Sequence, residues 1–173
     1  YTTLFRSQNY YNEAIIGFAN DASANQRNPK YDGIKVEGNS KFAFYSLKNN
    51  TNVVNQAVRL IYQVIDTFIT LGFNSLDLGE HKLMLNLVDN LPSNVKILLV
   101  DRYNNDTIVD LKKNRIYSFN VTQTGRFNNR FLLHITINNK PVVLNELQSV
   151  NVLEDELSTI QIPSNTFIDV DNE

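Results

Sequence analysis

The chain contains no cysteine and no tryptophan, and only one methionine and two histidines among 173 residues. Without cysteine there is no disulfide, no thiol nucleophile and no thiolate metal site. No run of about 18 apolar residues occurs, so no segment reads as a membrane-spanning helix. Charged residues make up 20% and the net charge is −2, leaving no basic surplus of the kind nucleic-acid binding requires. Six glycines and four prolines exclude a collagen-like or low-complexity chain. G-x-S-x-G, a phosphate-cradling glycine loop and H-E-x-x-H are all missing. A chain that opens at Tyr1, with no methionine and no apolar leader, reads as a mature or excised piece, one domain with at most a fragment of another.

Asparagine is abundant, with 26 residues, several in pairs. Asparagine tolerates left-handed backbone and bonds its own chain two residues on, so it can close turns where glycine is scarce. Hairpin turns are therefore expected at Asn49-Asn50, Asn104-Asn105, Asn128-Asn129 and Asn138-Asn139, although a low-GC coding bias would produce the same excess.

Between these pairs the apolar residues recur with a period of two, the strand signature. Strands are expected at Glu13–Ala19, Lys41–Leu47, Asn55–Tyr62, Thr67–Phe73, His81–Val88, Asn94–Asp101, Arg115–Val121 and Arg130–Ile137. Val54, Val58, Ile61, Ile65 and Phe68 also fit helical spacing. The β-branched and aromatic content, and the lack of an N-cap followed by an acidic first turn before Val53, favour strands. Short strands separated by turn clusters predict an all-β fold, an antiparallel, jelly-roll-like β-sandwich over residues 1–139. Composition shifts at Lys140-Pro141, and residues 140–173 read as an extended C-terminal segment, with short extended pieces at Val142–Leu147 and Ser158–Ile162.

Several segments together resemble a known module. They are Ala14-Ile15-Ile16-Gly17-Phe18 with Lys30-Tyr31-Asp32, Thr70-Leu71-Gly72-Phe73 with Gly79-Glu80-His81-Lys82-Leu83, and Asn90-Leu91-Pro92 with Val95–Asp101. Asp110-Leu111 with Tyr117-Ser118-Phe119, and Arg130-Phe131-Leu132-Leu133-His134, complete the order. Over roughly residues 12–137 this order resembles a β-sandwich module of large secreted cell-surface adhesins of Bacteroidota, exported by type IX secretion. His81 and Lys82 depart from it, standing where an aromatic is commoner. In the tail, Leu153-Glu154-Asp155-Glu156, Ile160–Pro163 and Thr166–Asp171 resemble the opening strands of a cadherin-like or dystroglycan-type repeat. The resemblance implies a non-catalytic structural or adhesion module of a long secreted protein. Its partners would be neighbouring domains of the same chain, the type IX secretion machinery, and surface polysaccharide or protein.

Candidate sites follow from residue chemistry. Asp169, Asp171 and Glu173 alternate, so on a strand their carboxylates share a face, and Glu154, Asp155 and Glu156 offer further oxygens. Ca²⁺ takes six to eight oxygen ligands, and such clusters can stiffen a domain junction; a solvated acidic linker has the same composition. Tyr10, Tyr11, Tyr31 and Tyr103 fall in expected loops or strand ends, where they form a glycan-stacking platform or pack under loops. Arg126 and Arg130 either donate to a glycan or neutralise nearby acids on the surface. Asp106-Thr107-Ile108 fits the Bacteroidota O-glycosylation pattern, with Thr107 the acceptor, or is a plain turn capped by Asp106. His81 and His134 lie on expected strands, where a histidine is more often packed than catalytic. Two further functions stay open: a carbohydrate-binding module of a secreted polysaccharide-degrading enzyme, and a subunit of an extracellular filament.

Overall fold

The computed structural model describes residues 2–6, 11–23, 26–36, 41–59, 66–137, 141–147, 149, 151–155 and 157–168, with side chains from residue 11 onward. Among them every regular element is a strand. In chain order these are β1 (Thr2–Arg6), β2 (Tyr11–Phe18), β3 (Gly33–Ile34), β4 (Phe42–Lys48), β5 (Thr51–Val58), β6 (Asp66–Ser75), β7 (Gly79–Leu87), β8 (Val95–Asp101), β9 (Thr107–Asp110), β10 (Ile116–Val121), β11 (Gly125–Ile137), β12 (Val142–Val143) and β13 (Phe167–Ile168). The chain divides into two compact units, Tyr1–Ile137 and Asn138–Glu173. In the second, β12 pairs antiparallel with β13, and Ser158–Ile162 forms no strand.

In the first unit ten strands lie side by side in the order β10-β7-β1-β2-β5-β4-β6-β11-β8-β9, with β3 against β5. The expected all-β, sandwich-like fold is what the chain adopts. One pairing departs from the antiparallel rule, for β2 and β5 are parallel, with Ile15 beside Asn55 and Phe18 beside Val58. Thr51–Val58 and Asp66–Ser75 are strands rather than a helix, and residues 60–65, which include Tyr62, lie outside the described set. The β4–β5 turn is formed by Asn49 (φ 47°) and Asn50 (φ 58°). Positive φ at both central residues is the two-residue hairpin turn that matches strand twist, here built without glycine. Asn105 and Asp106 likewise have φ of 50° and 52°, in the turn between β8 and β9.

Alternation decides which side chains face inward. In β8 Val95, Ile97, Leu99 and Asp101 are buried, while Lys96, Leu98 and Val100 are less so. Leu83 and Leu85 of β7, Phe119 and Val121 of β10, Ile69, Leu71 and Phe73 of β6, and Phe131, Leu133 and Ile135 of β11 join Val95, Ile97 and Leu99 in one core. Phe119 and Phe131 meet edge to face with ring centres 4.7 Å apart, and Phe119 and Phe73 at 5.7 Å. Yet β10 and β11 stand seven places apart in the sheet, roughly 33 Å if it were flat. The sheet must therefore curl back on itself, bringing its β10 end over β6 and β11.

A polar latch holds that closure. Arg130 of β11 makes a two-pronged ion pair with Asp101 of β8, Nε to Oδ1 at 3.0 Å and Nη2 to Oδ2 at 2.9 Å. Its Nη1 donates to the carbonyl of Asn120 in β10 at 2.9 Å. Asp101 also accepts from the Tyr117 hydroxyl of β10 and the Tyr103 amide. The guanidinium lies 4.4 Å from the Phe119 ring centre. This corrects the surface role expected of Arg130: it neutralises an acid, but in the interior, where Asp101 is fully buried. Removing one partner of such a pair leaves an uncompensated charge, which costs about 3–5 kcal/mol. Arg130→Met should therefore lower unfolding free energy by about that much in urea titration. Tyr117→Phe, which deletes one bond to a charged acceptor, should cost about 1.5–3 kcal/mol.

Candidate functional site

A second buried ion pair anchors the segment ahead of β3. Lys48 Nζ sits 2.9 Å from Asp32 Oδ2, with neither side chain exposed, and donates to the Ala57 carbonyl at 2.7 Å. Asp32 also accepts from the Asn28 and Ala57 amides. Burial pushes the Asp32 carboxyl upward, but the two backbone amides and the Lys48 ammonium outweigh it and hold the group below the usual carboxylate range. The lysine that ends β4 carries no sign in the sequence of its buried partner. At the latch, burial raises the Tyr117 hydroxyl, the Asn104 amide lowers it and the Asp101 carboxylate raises it further, with a net upward shift.

His81 and Ser75 give the one arrangement reminiscent of a base and nucleophile among the described residues. Ser75 Oγ lies 3.1 Å from His81 Nε2, and His81 Nδ1 is 3.0 Å from the Gly79 carbonyl. Both side chains are buried, and His81 packs against Phe42 and Phe119. Ser75 Oγ is bonded to the Asp77 backbone as well. A nucleophile must meet substrate, and this pair is sealed inside the core, tying β6 to β7. His134, on the outer face, stacks on Phe68 at 4.2 Å and pairs with Asp66.

The tyrosines expected to form a platform have separate surroundings. Tyr11 opens β2 and is 76% exposed. Tyr31 bonds Asp21 through its hydroxyl and lines a small cleft of about 250 Å³ with Gly17, Asn55 and Ala57. Tyr103, 60% exposed, stands edge-on to Phe127 and beside Arg130. Tyr10 lies outside the described residues. Thr107 is the first residue of edge strand β9 rather than a loop residue, and its hydroxyl donates to the Asn104 carbonyl. Of the acidic set, Glu154 and Asp155 form an exposed turn in which Asp155 has φ 66°, and Glu156, Asp169, Asp171 and Glu173 lie outside the described residues.

Asn128-Asn129 is not a hairpin turn. Both residues lie inside β11, where Phe127 pairs with Phe73 and Phe131 with Leu71. Three residues, Asn128 to Arg130, thus stand opposite Gly72 alone, a bulge that bends the strand. Over Gly72 lies the Tyr45 ring, whose hydroxyl donates to Asn128 Oδ1 at 2.8 Å. A Cβ on Gly72 would come within 2.4 Å of that ring and 2.8 Å of Asn128 Oδ1, so only glycine admits the arrangement. The bulge, the Asn49-Asn50 turn and Thr70 border an open depression of about 490 Å³, lined also by Leu47. The sequence offered the asparagine pairs but no sign of the bulge that brings them together.

The curled sheet with its buried ion pairs defines an all-β, sandwich-like domain. The chain belongs to the family described as a domain of unknown function, DUF8693, whose model matches residues 2–135, from β1 into β11. No curated protein and no solved structure matches the chain.

The Asp32 carboxyl, held below its unfolded value near 3.9, adds stability that is present above that value and is lost as pH falls through the folded one. Urea midpoints measured between neutral pH and pH about 3 should fall on acidification, and the fall should be smaller in Asp32→Asn, which starts from a lower midpoint.

Proposed function

We propose that the chain is a non-catalytic structural and adhesion module of a long, secreted bacterial cell-surface protein, bearing tension between its neighbours. The observation that supports this most is how the ends of the first unit are anchored. β1 lies between β2 and β7 and is paired to both over all five of its residues. β11 lies between β6 and β8 and is likewise paired on both sides. Ladder hydrogen bonds run perpendicular to the strands, so a pull along β1 or β11 shears many of them at once. Peeling an edge strand such as β9 or β10 breaks them in succession.

The interior charges suit the same role, since Asp32, Lys48, Asp101 and Arg130 are engaged with one another or with backbone. The resemblance to Bacteroidota adhesin modules adds the type IX export route and flanking domains. On this reading residues 1–139 form the module, and 140–173 lead into a cadherin-like repeat whose junction is stiffened by Ca²⁺.

Single-molecule force measurements test the mechanical reading. Unfolding should require several-fold more force when the first unit is pulled through residues 1 and 137 than through cysteines introduced at Ile108 and Ser118 on the edge strands. Equal or lower force through the ends would overturn it. Calorimetric titration with Ca²⁺ of a chain extended beyond Glu173 should show saturable heat and a raised Tm; neither being seen would remove calcium from the proposal.

A further inference from the structure

The depression beside the β11 bulge has the chemistry of a ligand site. Its lining residues, Leu47, Asn49, Asn50, Thr70, Asn128 and Asn129, carry no ionisable group. Each asparagine amide offers two donors and an acceptor, and the threonine hydroxyl offers both. Such a lining matches a ligand that is itself neutral and presents closely spaced hydroxyls, each a donor and an acceptor. The Leu47 side chain supplies an apolar patch for the C–H face of a sugar ring. A charged ligand would find no counter-charge among these six residues. The volume falls within the usual range for ligand pockets.

The backbone that carries these groups, and the Asn128 side chain, are set before any ligand arrives. The main chain at Asn49 and Asn50 is fixed by the left-handed turn. Asn128 is pinned through its oxygen by the Tyr45 hydroxyl, and Tyr45 is itself buried, with Arg126 6.0 Å from its ring centre. Thr70 stands on an inner strand, between Leu47 of β4 and Leu132 of β11. The side-chain amides of Asn49, Asn50 and Asn129 make no hydrogen bond to another described residue, so their donors and acceptors are available to a ligand. Preorganisation of this kind lowers the ordering entropy a ligand must overcome.

From this geometry we infer that the depression is a binding site for a neutral saccharide unit of a surface or extracellular glycan. The site is distinct from the tyrosine platform expected from the sequence, and its lining includes none of those tyrosines. It goes beyond the tension-bearing reading: shear resistance resides in the pairing of β1 and β11, so either property survives the failure of the other.

NMR titration of the isotopically labelled chain with laminarihexaose, cellohexaose, mannohexaose, maltohexaose and chitohexaose tests the inference. At least one should produce saturable shifts in the side-chain amide signals of Asn49, Asn50, Asn128 and Asn129. Asn129→Ala removes a side chain with no hydrogen bond to another described residue and should weaken that binding about tenfold or more, the loss of one good hydrogen bond. Asn128→Ala should weaken it further, with folding confirmed from the core methyl signals. No saturable shift with any of the five, shifts confined to the surroundings of Tyr11, Tyr31 or Tyr103, or unchanged affinity in Asn129→Ala would overturn it.

Discussion

The ion pair between Arg130 and Asp101 is the interaction on which the closed form of the sheet depends. Apolar contact alone draws the two ends of the sheet together, since Phe119, Phe73 and Phe131 share one core, but such contact is non-directional. The pair adds direction. One guanidinium reaches β8 through Asp101 and β10 through the Asn120 carbonyl, and Asp101 reaches β10 in return through Tyr117. A carboxylate and a guanidinium buried together need their remaining donors and acceptors satisfied to be tolerated. Backbone and tyrosine groups from separate strands do that here, so satisfying the charges and fixing the strand positions are one condition.

The β11 bulge makes both the latch and the outer depression possible. Alternation along β11 buries Phe131, Leu133, Ile135 and Ile137, and an unbroken strand would send Arg130 to the opposite side from Phe131. The additional residues opposite Gly72 break that alternation, so Arg130 and Phe131 are both buried. The same residues push Asn128 and Asn129 outward beside Tyr45 and the Asn49-Asn50 turn. Gly72 is the complement of the bulge on β6, since a side chain there would occupy the space of the Tyr45 ring. Inner charge and outer amides thus share one backbone irregularity.

The parts of this fold that follow from alternation were legible in the sequence, and those that follow from long-range pairing were not. The strand at Val95–Asp101 and the turn at Asn49-Asn50 are local statements, set by period and by the tolerance of asparagine for positive φ. The parallel contact of β2 with β5 joins residues 40 positions apart and leaves no mark on either strand. Asn128-Asn129 resembled the other asparagine pairs because a bulge and a turn call for the same residue type, and only the register against β6 separates them. Arg130 reads as a surface residue, and nothing in the sequence marks Lys48 as buried, because a lysine or arginine is almost never fully buried without a partner, and the partners, Asp101 and Asp32, lie 29 and 16 positions away.

On the tension-bearing reading, the position of the latch gains a second meaning. β1 is two places from β10 along the sheet, and β11 belongs to the opposite end of the curl. Load entering through β1 and leaving through β11 has two routes: around the sheet through β2, β5, β4 and β6, or across the closure through β7, β10 and Arg130. The first route includes β2 with β5, paired over only four residues and in the parallel arrangement, which is slightly weaker per residue. The second is shorter and passes through hydrogen bonds to charged groups, about twice as strong as neutral ones. A sheet closed only by side-chain packing would leave the parallel pair to carry the strain. With the latch in place, the strand through which the load leaves also holds the charge that shares it.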